Sequence, residues 1–203
     1  MVITNIFLAL SLLFSGCTSS DSDMAGIPQE NTDSSSQESE GAGLLNVKLN
    51  FKRSGTIASN QYAIWVEDAE GKLVKTLYVS DFTANGGYAR RKDCVPTWVA
   101  KARPSQMPEA VLDAVSGATP RSNGVQTYSW NGKDEAGQLV EAGKYHVYVE
   151  GTLYWSGTVL FSGVIDWGGS EQRIELAPVF SEEELTNRDM ITQVTAEYAG
   201  KAQ

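Results

Sequence analysis

From residue 45 onwards, the chain alternates apolar and polar positions in the way that half-buried β-strands do. Between Val47 and Phe51 every second residue is apolar, and the residues between them are polar. Similar short runs, rich in aromatic and β-branched residues and separated by Gly, Asn and Asp, predict further strands. The predicted strands lie within residues 45–53, 61–68, 73–80, 125–130, 144–155, 158–166, 172–176 and 190–198. About eight short strands joined by turns are typical of an immunoglobulin-like β-sandwich, so we expect an all-β fold over residues 44–203.

Two segments depart from the strand pattern. Residues 81–123 contain stretches with helical spacing, at 97–103 and 108–115, and Pro108 suits the first turn of a helix. We therefore expect a partly helical insertion between strands, and long insertions often carry function. Near the end of the chain we expect a helical turn at residues 181–186 before the last strand, although the apolar spacing after residue 190 also fits a helix.

The first 43 residues have a different composition. The apolar run Ile6 to Phe14 is too short to span a bilayer but has the length of a signal-peptide core. The tetrapeptide Phe14-Ser15-Gly16-Cys17 follows and resembles a lipobox, although Phe stands where Leu is commoner and no basic residue precedes the run. We expect a signal peptide over residues 1–16, a lipid on Cys17 and a polar tether over residues 17–43. The alternative is a buried N-terminal element that ends in a chance cysteine.

The formal net charge of −9 is concentrated outside the predicted sandwich. The first 43 residues hold six acidic residues and no Lys or Arg, which leaves −3 for residues 44–203. A nucleic-acid-binding protein needs a basic face, so the sequence argues against a nucleic-acid partner.

Few residues in the predicted sandwich suggest metal or hydrolytic chemistry. His146 is the only histidine, and without a cluster of His or Cys we expect no metal site and no Ser-His-Asp triad. Cys94 has no second thiol to pair with once Cys17 is lipidated. We expect Cys94 to be a buried apolar residue rather than a reactive one.

Two resemblances bear on the fold. The sequence WNGKDEAG of residues 130–137, followed by EAGKY at 141–145, is similar to a hairpin found in immunoglobulin-like modules of flagellar hook-capping proteins. It implies that Trp130 and Tyr145 are core residues and that Asn131-Gly132 supplies positive φ angles. More broadly, residues 44–200 resemble a family of periplasmic proteins known only as a domain of unknown function, number twenty-two seventy-one. The second resemblance implies a location but no chemistry.

The heptapeptide Asp113-Ala114-Val115-Ser116-Gly117-Ala118-Thr119 resembles the flavinylation motif D-x-x-[ST]-G-A-[TS] of exported flavoproteins. The resemblance implies that a flavin transferase attaches FMN to Thr119 through a phosphoester. Asp113, Ser116, Gly117 and Ala118 are then the residues that the transferase recognises. The well-known bearers of the motif are mixed α/β domains, whereas this chain is a predicted sandwich. The alternative is an ordinary helix end, with Gly117 as the C′ residue and Thr119-Pro120 as the exit.

These observations favour an exported lipoprotein that carries covalent FMN on Thr119 for extracytoplasmic electron transfer. Its partners are then the membrane, through the lipid on Cys17, a flavin transferase and a redox partner, and we expect a monomer in the periplasm or on the outer membrane. Trp155 and Trp167, which flank strand ends, are candidates to stack on a flavin or a glycan. The alternative is a non-catalytic immunoglobulin-like module for binding or assembly. Under either hypothesis we do not expect an enzyme.

Overall fold

The protein is described from a computed structural model, which covers residues 43–200. The predicted signal peptide, Cys17 and the tether up to residue 42 lie outside the described residues. The strands are β1 (Leu44–Phe51), β2 (Gln61–Glu67), β3 (Leu73–Ser80), β4 (Ser116–Gly117), β5 (Gly124–Trp130), β6 (Gly143–Tyr154), β7 (Gly157–Trp167), β8 (Gln172–Glu175), β9 (Ala177–Phe180) and β10 (Ile191–Ala199). The helices are α1 (Tyr88–Arg90), which follows an irregular turn at Thr83–Gly87, then α2 (Pro96–Ala102) and α3 (Glu109–Val115), with a short 3₁₀ turn at Pro104–Gln106.

The strands form two sheets. The smaller sheet has the order β5-β1-β10-β8, and the larger has the order β4-β3-β2-β6-β7-β9. All pairs are antiparallel except β3 with β4, which run parallel. The expected all-β sandwich is therefore confirmed.

The main core lies between the two sheets and follows from the alternation seen in the sequence. In β1, Leu45, Val47, Leu49 and Phe51 are at most 1% exposed, while the residues between them are only partly buried. Trp130 and Tyr145 join the same core with ring centroids 5.4 Å apart, as the resemblance implied. Burying such side chains is the main free-energy gain of a sandwich.

A second, smaller core lies on the outer face of the larger sheet. Ala63, Trp65 and Val79 point outward from β2 and β3, and the insertion packs Trp98 and Val115 against them. Strand β2 is consequently buried on both faces, which explains why its sequence is apolar almost without interruption. The partly helical insertion is confirmed, and it forms a third layer.

The structure corrects three details of the sequence analysis. The expected helical turn at residues 181–186 is absent: residues 181–184 form bends, because the Ser181 N–H pairs with the Thr158 carbonyl and prolongs the extended path of β9, and a turn begins only at residue 186. Strands β4 and β9 were not predicted. Finally, the segment WNGKDEAG turns back on itself through an antiparallel bridge between Lys133 and Leu139, but the strands on either side of it do not pair: β5 belongs to the smaller sheet and β6 to the larger, so the connection crosses between sheets. Gly132 has the expected positive φ, +77°, whereas Asn131 does not.

Candidate functional site

The candidate site lies at the end of the sandwich where β3 ends, β2 begins and β6 turns into β7. We call it the Thr119 end. There Gly117 of β4 lies beside Ser80 of β3, and Gln61 of β2 lies beside Thr152 of β6. The order β4-β3-β2-β6 therefore puts the residues after β4 in line with the start of β2 and the turn after β6.

The heptapeptide passes through three conformations. Asp113 to Val115 form the last turn of α3, Ser116 and Gly117 form β4, and Ala118 and Thr119 follow without regular structure. Ser116 is already extended, with φ −77° and ψ 142°, and Gly117 does not have a positive φ. Helix α3 therefore ends with Ser116 as its C-cap and Gly117 at the C′ position, as the alternative of an ordinary helix end expects, but without a left-handed residue. The prediction that Thr119 lies on a loop is confirmed.

Thr119 is half-buried and points toward the loop that precedes β2. Its hydroxyl donates a hydrogen bond of 3.3 Å to the carbonyl oxygen of Asn60. Asn60 is buried and left-handed, with φ +64°, and its side-chain amide bonds both backbone groups of Ser54, which fixes the loop. Thr119 is thus hydrogen-bonded to a loop that Asn60 itself fixes.

The other motif residues are arranged around this hydroxyl in different ways. Asp113 and Ala118 are exposed, and the half-buried Ser116 hydroxyl donates to the Asp113 carbonyl at 3.3 Å. Within residues 43–200 the structure records no hydrogen bond between the Asp113 carboxylate and Thr119. Asp113 is therefore available to another protein but does not orient the acceptor itself.

Tyr78 explains the glycine of the motif. A Cβ atom at position 117 would lie 2.7 Å from Cε2 of Tyr78, so only glycine lets the ring approach. The Tyr78 hydroxyl donates to the Gly117 carbonyl at 3.1 Å, and its ring stacks on Tyr62 with centroids 4.6 Å apart. Tyr128 completes this tyrosine cluster, with its ring centroid 4.9 Å from that of Tyr78.

The tyrosine cluster is neutral over a wide pH range. Burial raises the pKa of Tyr128 to about 12, and burial together with its tyrosine neighbours raises the pKa of Tyr62 further. The Tyr62 and Tyr128 hydroxyls bond each other, so ionising one would leave a buried charge beside a second phenol. The segment bearing Thr119 therefore rests on an uncharged, rigid support.

Arginine side chains flank Thr119. Arg53 donates to the carbonyl of Pro120 at 3.2 Å, and Arg121 is exposed two residues beyond Thr119. Arg91 reaches the same loop and donates to the Ala58 carbonyl at 2.8 Å. Guanidinium groups suit planar recognition of phosphate oxygens. The local charge therefore fits a phosphate ester on this hydroxyl.

The structure separates the two tryptophans proposed for stacking. Trp167 is 5% exposed and packs between Trp130 and Tyr198, so it belongs to the core. Trp155 is 50% exposed at the β6–β7 turn, next to the partly exposed Tyr154. Only Trp155 is available to a ligand.

Other candidate residues take structural positions. Cys94 is fully buried, as expected, and burial raises the pKa of its thiol, which disfavours the reactive thiolate. His146 lies in β6 opposite Val164 and stacks beside Tyr148. Among residues 43–200 no three His, Cys, Asp or Glu side chains are grouped closely enough to hold a metal ion.

Comparison with known proteins identifies the family of this chain. The family model DUF2271, described as a predicted periplasmic protein, matches residues 44–183. The chain belongs to this family. No curated protein and no solved structure matches it. In the part of the chain that the structure describes, no helix has the length and apolar character needed to cross a bilayer. Membership of DUF2271 thus agrees with the resemblance noted in the sequence.

Proposed function

We propose that this DUF2271 protein is an exported lipoprotein that carries FMN on Thr119 through a phosphoester and passes electrons outside the cytoplasm. The observation that carries the proposal is the position of the Thr119 hydroxyl. It stands just beyond an edge strand, on a loop, and among residues 43–200 its one hydrogen-bond partner is a backbone acceptor.

The edge position suits a modifying enzyme. In the described part of the chain strand β4 has no strand on its outer side, so a transferase can approach the segment without displacing a described element of the sheet. Releasing Thr119 from Asn60 costs one neutral hydrogen bond, about 1 kcal/mol. A transferase can offset a cost of this size through its contacts with Asp113, which is exposed.

The charge at the site suits the modified state. A phosphodiester on Thr119 would add a negative charge, and Arg53, which bonds the Pro120 carbonyl, and the exposed Arg121 would supply charge-assisted hydrogen bonds to it. When attached, FMN supplies one- and two-electron redox chemistry that no side chain here offers. The protein's own residues then hold the phosphate and shield one side of the linker. The tyrosine cluster beneath the Thr119 segment stays neutral.

Membrane attachment through Cys17 is the second half of the proposal. It is supported by the apolar run, the lipobox-like tetrapeptide and the polar segment that follows, and membership of a periplasmic family is consistent with export. A lipid on Cys17 would confine the carrier to the surface of a membrane, where electron-transfer partners are found.

The direct test is the intact mass of the full chain after co-expression with a flavin transferase. The wild type should gain the mass of FMN less one water, Thr119→Ala should gain nothing, and Thr119→Ser should retain part of the adduct. Thr127→Ala, an exposed threonine on β5, is the matched control and should be modified like the wild type. An unmodified wild type, or a modified Thr119→Ala, would end the flavin proposal.

One observation favours a second function, that of a non-catalytic binding or assembly module. A groove of about 620 Å³ opens where β8 leaves the smaller sheet and β9 joins the larger one. It contains the apolar residues Phe161 and Leu176 and the cations Arg173 and Arg188. An unmodified wild type would favour this function.

A further inference from the structure

Trp155 is unfavourable to the folded state in two ways, through the exposure of its ring and through its backbone conformation. It is 50% exposed, whereas the other four tryptophans are at most 5% exposed, so its ring gains little by burial. Its backbone is left-handed, with φ +48°, a conformation that is strained for a bulky residue. Gly or Asn would suit the turn better, because both tolerate positive φ. A strained and exposed tryptophan therefore indicates a role in binding a ligand.

The loop between β1 and β2 links Trp155 to Thr119. The Trp155 N–H donates to the Ala58 carbonyl at 3.0 Å, and the Thr119 hydroxyl donates to the Asn60 carbonyl at 3.3 Å. Two residues of chain span at most about 7 Å. Thr119 Oγ1 therefore lies within about 13 Å of the Trp155 backbone nitrogen.

The sheet gives a similar separation. Strand β4, which leads to Thr119, and strand β6, which leads to Trp155, are three strand intervals apart in the larger sheet. At 4.7–4.9 Å per interval this is about 14 Å. Counted in single bonds of about 1.5 Å, the phosphate and ribityl linker of FMN extends about 10 Å from the threonine oxygen to the flavin ring system. The ring itself covers the remaining distance.

The surface between the two residues is suitable. Ile57, in the same loop, is 75% exposed, and Tyr154 is 36% exposed with its ring centroid 6.2 Å from that of Trp155. The loop and the turn thus expose two apolar side chains besides Trp155. Aromatic rings prefer offset stacking, which stabilises a ring pair beyond the gain from burial alone.

We infer that Trp155 is the platform on which the isoalloxazine ring of the Thr119-linked FMN stacks. This inference rests on the proposed function. Stacking covers one face of the flavin. It also places the electron-rich indole against the flavin ring, and indole quenches the excited state of that ring. Trp155 is thus a positioning residue that holds the ring at the β6–β7 turn.

The test uses the full chain, co-expressed with a flavin transferase, as wild type, Trp155→Ala and Trp155→Phe. Intact mass first establishes that all three carry the adduct, and flavin fluorescence per adduct is then compared. We expect a several-fold rise in Trp155→Ala and a smaller rise in Trp155→Phe, which keeps the stack but lacks the indole. Leu139→Ala, an exposed apolar residue at the opposite end of the sandwich, should match the wild type.

The outcomes are distinct. A wild type without adduct ends both the proposed function and the platform. A normal adduct whose fluorescence is the same in wild type and Trp155→Ala overturns the platform alone. A merely structural Trp155 would instead lower the unfolding temperature of the unmodified protein when replaced, whereas we expect little change because the ring is half-exposed. Protection of Trp155 from acrylamide quenching on flavin attachment gives an independent check.

Discussion

The ring of Tyr78 lies against Gly117 so closely that a Cβ atom there would be 2.7 Å from Cε2. The ring cannot move away easily, because it stacks on Tyr62 and bonds the Gly117 carbonyl. The glycine of the flavinylation-like motif therefore has a packing role in this fold, whatever a transferase recognises.

We predict that Gly117→Ala lowers the free energy of unfolding by about 1–3 kcal/mol, the usual cost of overpacking. Urea denaturation of the wild type and the variant measures it. In a Tyr78→Val background the same substitution should cost much less, since the ring that it strikes is gone. Equal costs in both backgrounds would show that the contact with Tyr78 is not the cause.

Asp113 and Ser116 test whether the transferase recognises the heptapeptide or only an exposed hydroxyl. We predict that Asp113→Ala reduces the amount of FMN adduct, although the carboxylate is exposed and bonds nothing at Thr119. Ser116 should not accept FMN in a Thr119→Ala chain, because its hydroxyl lies within the paired segment β4. Peptide mass spectrometry locates the adduct.

Both variants should unfold within about 0.5 kcal/mol of the wild type, as surface changes usually do. A full adduct on Asp113→Ala, or an adduct on Ser116, would contradict recognition of the motif.

Most strands could be predicted because burial on one face leaves a period of two in the sequence. Strand β9 could not, since Ala177–Phe180 is short, contains Pro178 and is largely exposed. Strand β4 is only two residues long, and its pairing with β3 is made by backbone groups that have no side-chain signature. The connection after Trp130 has ordinary turn residues, and nothing in them says that it crosses to the other sheet.

The candidate site was predictable only where it is local in sequence. The heptapeptide is contiguous and could be found by its residue types. Asn60 and Tyr78, which hold its last residues, are 59 and 39 positions away from the groups that they bond. Their proximity depends on the register of β2, β3 and β4, which the sequence does not specify. Likewise, the sequence does not show that Trp155 is exposed and Trp167 is buried, because that difference depends on where each lies in the fold.

Cys17 tests the proposed anchor. We predict that Cys17→Ser moves the protein from the membrane fraction to the soluble fraction, or leaves the precursor with its first 16 residues attached, because no thiol is available for diacylglycerol. Fractionation and intact mass measure both outcomes. Cys94→Ser, which removes the buried thiol, is the control and should remain in the membrane fraction. Membrane fractionation of a Cys17→Ser protein whose first 16 residues have been removed would exclude a lipid anchor at this residue.

Glu150 joins the insertion to the sandwich. It is 1% exposed, and its carboxylate accepts the backbone N–H groups of Thr97 at 3.0 Å and Trp98 at 2.9 Å, at the start of α2. Burial raises the pKa of this carboxyl above its ordinary value of 4.5, against the opposing effect of the two hydrogen bonds. The folded protein therefore holds the proton more tightly than the unfolded chain does.

The pH dependence follows from that difference. Stability due to Glu150 is fully present below the unfolded pKa, near 4.5, and is lost as pH rises through the raised pKa of the folded state. We predict that the free energy of unfolding of the wild type falls over this window relative to that of Glu150→Gln, which has no proton to lose. Urea denaturation of both proteins at a series of pH values from about 4 to 8 measures the difference. Curves that stay parallel across the window would mean that Glu150 titrates alike in the folded and unfolded states, and that its burial is fully offset by the N–H groups of α2.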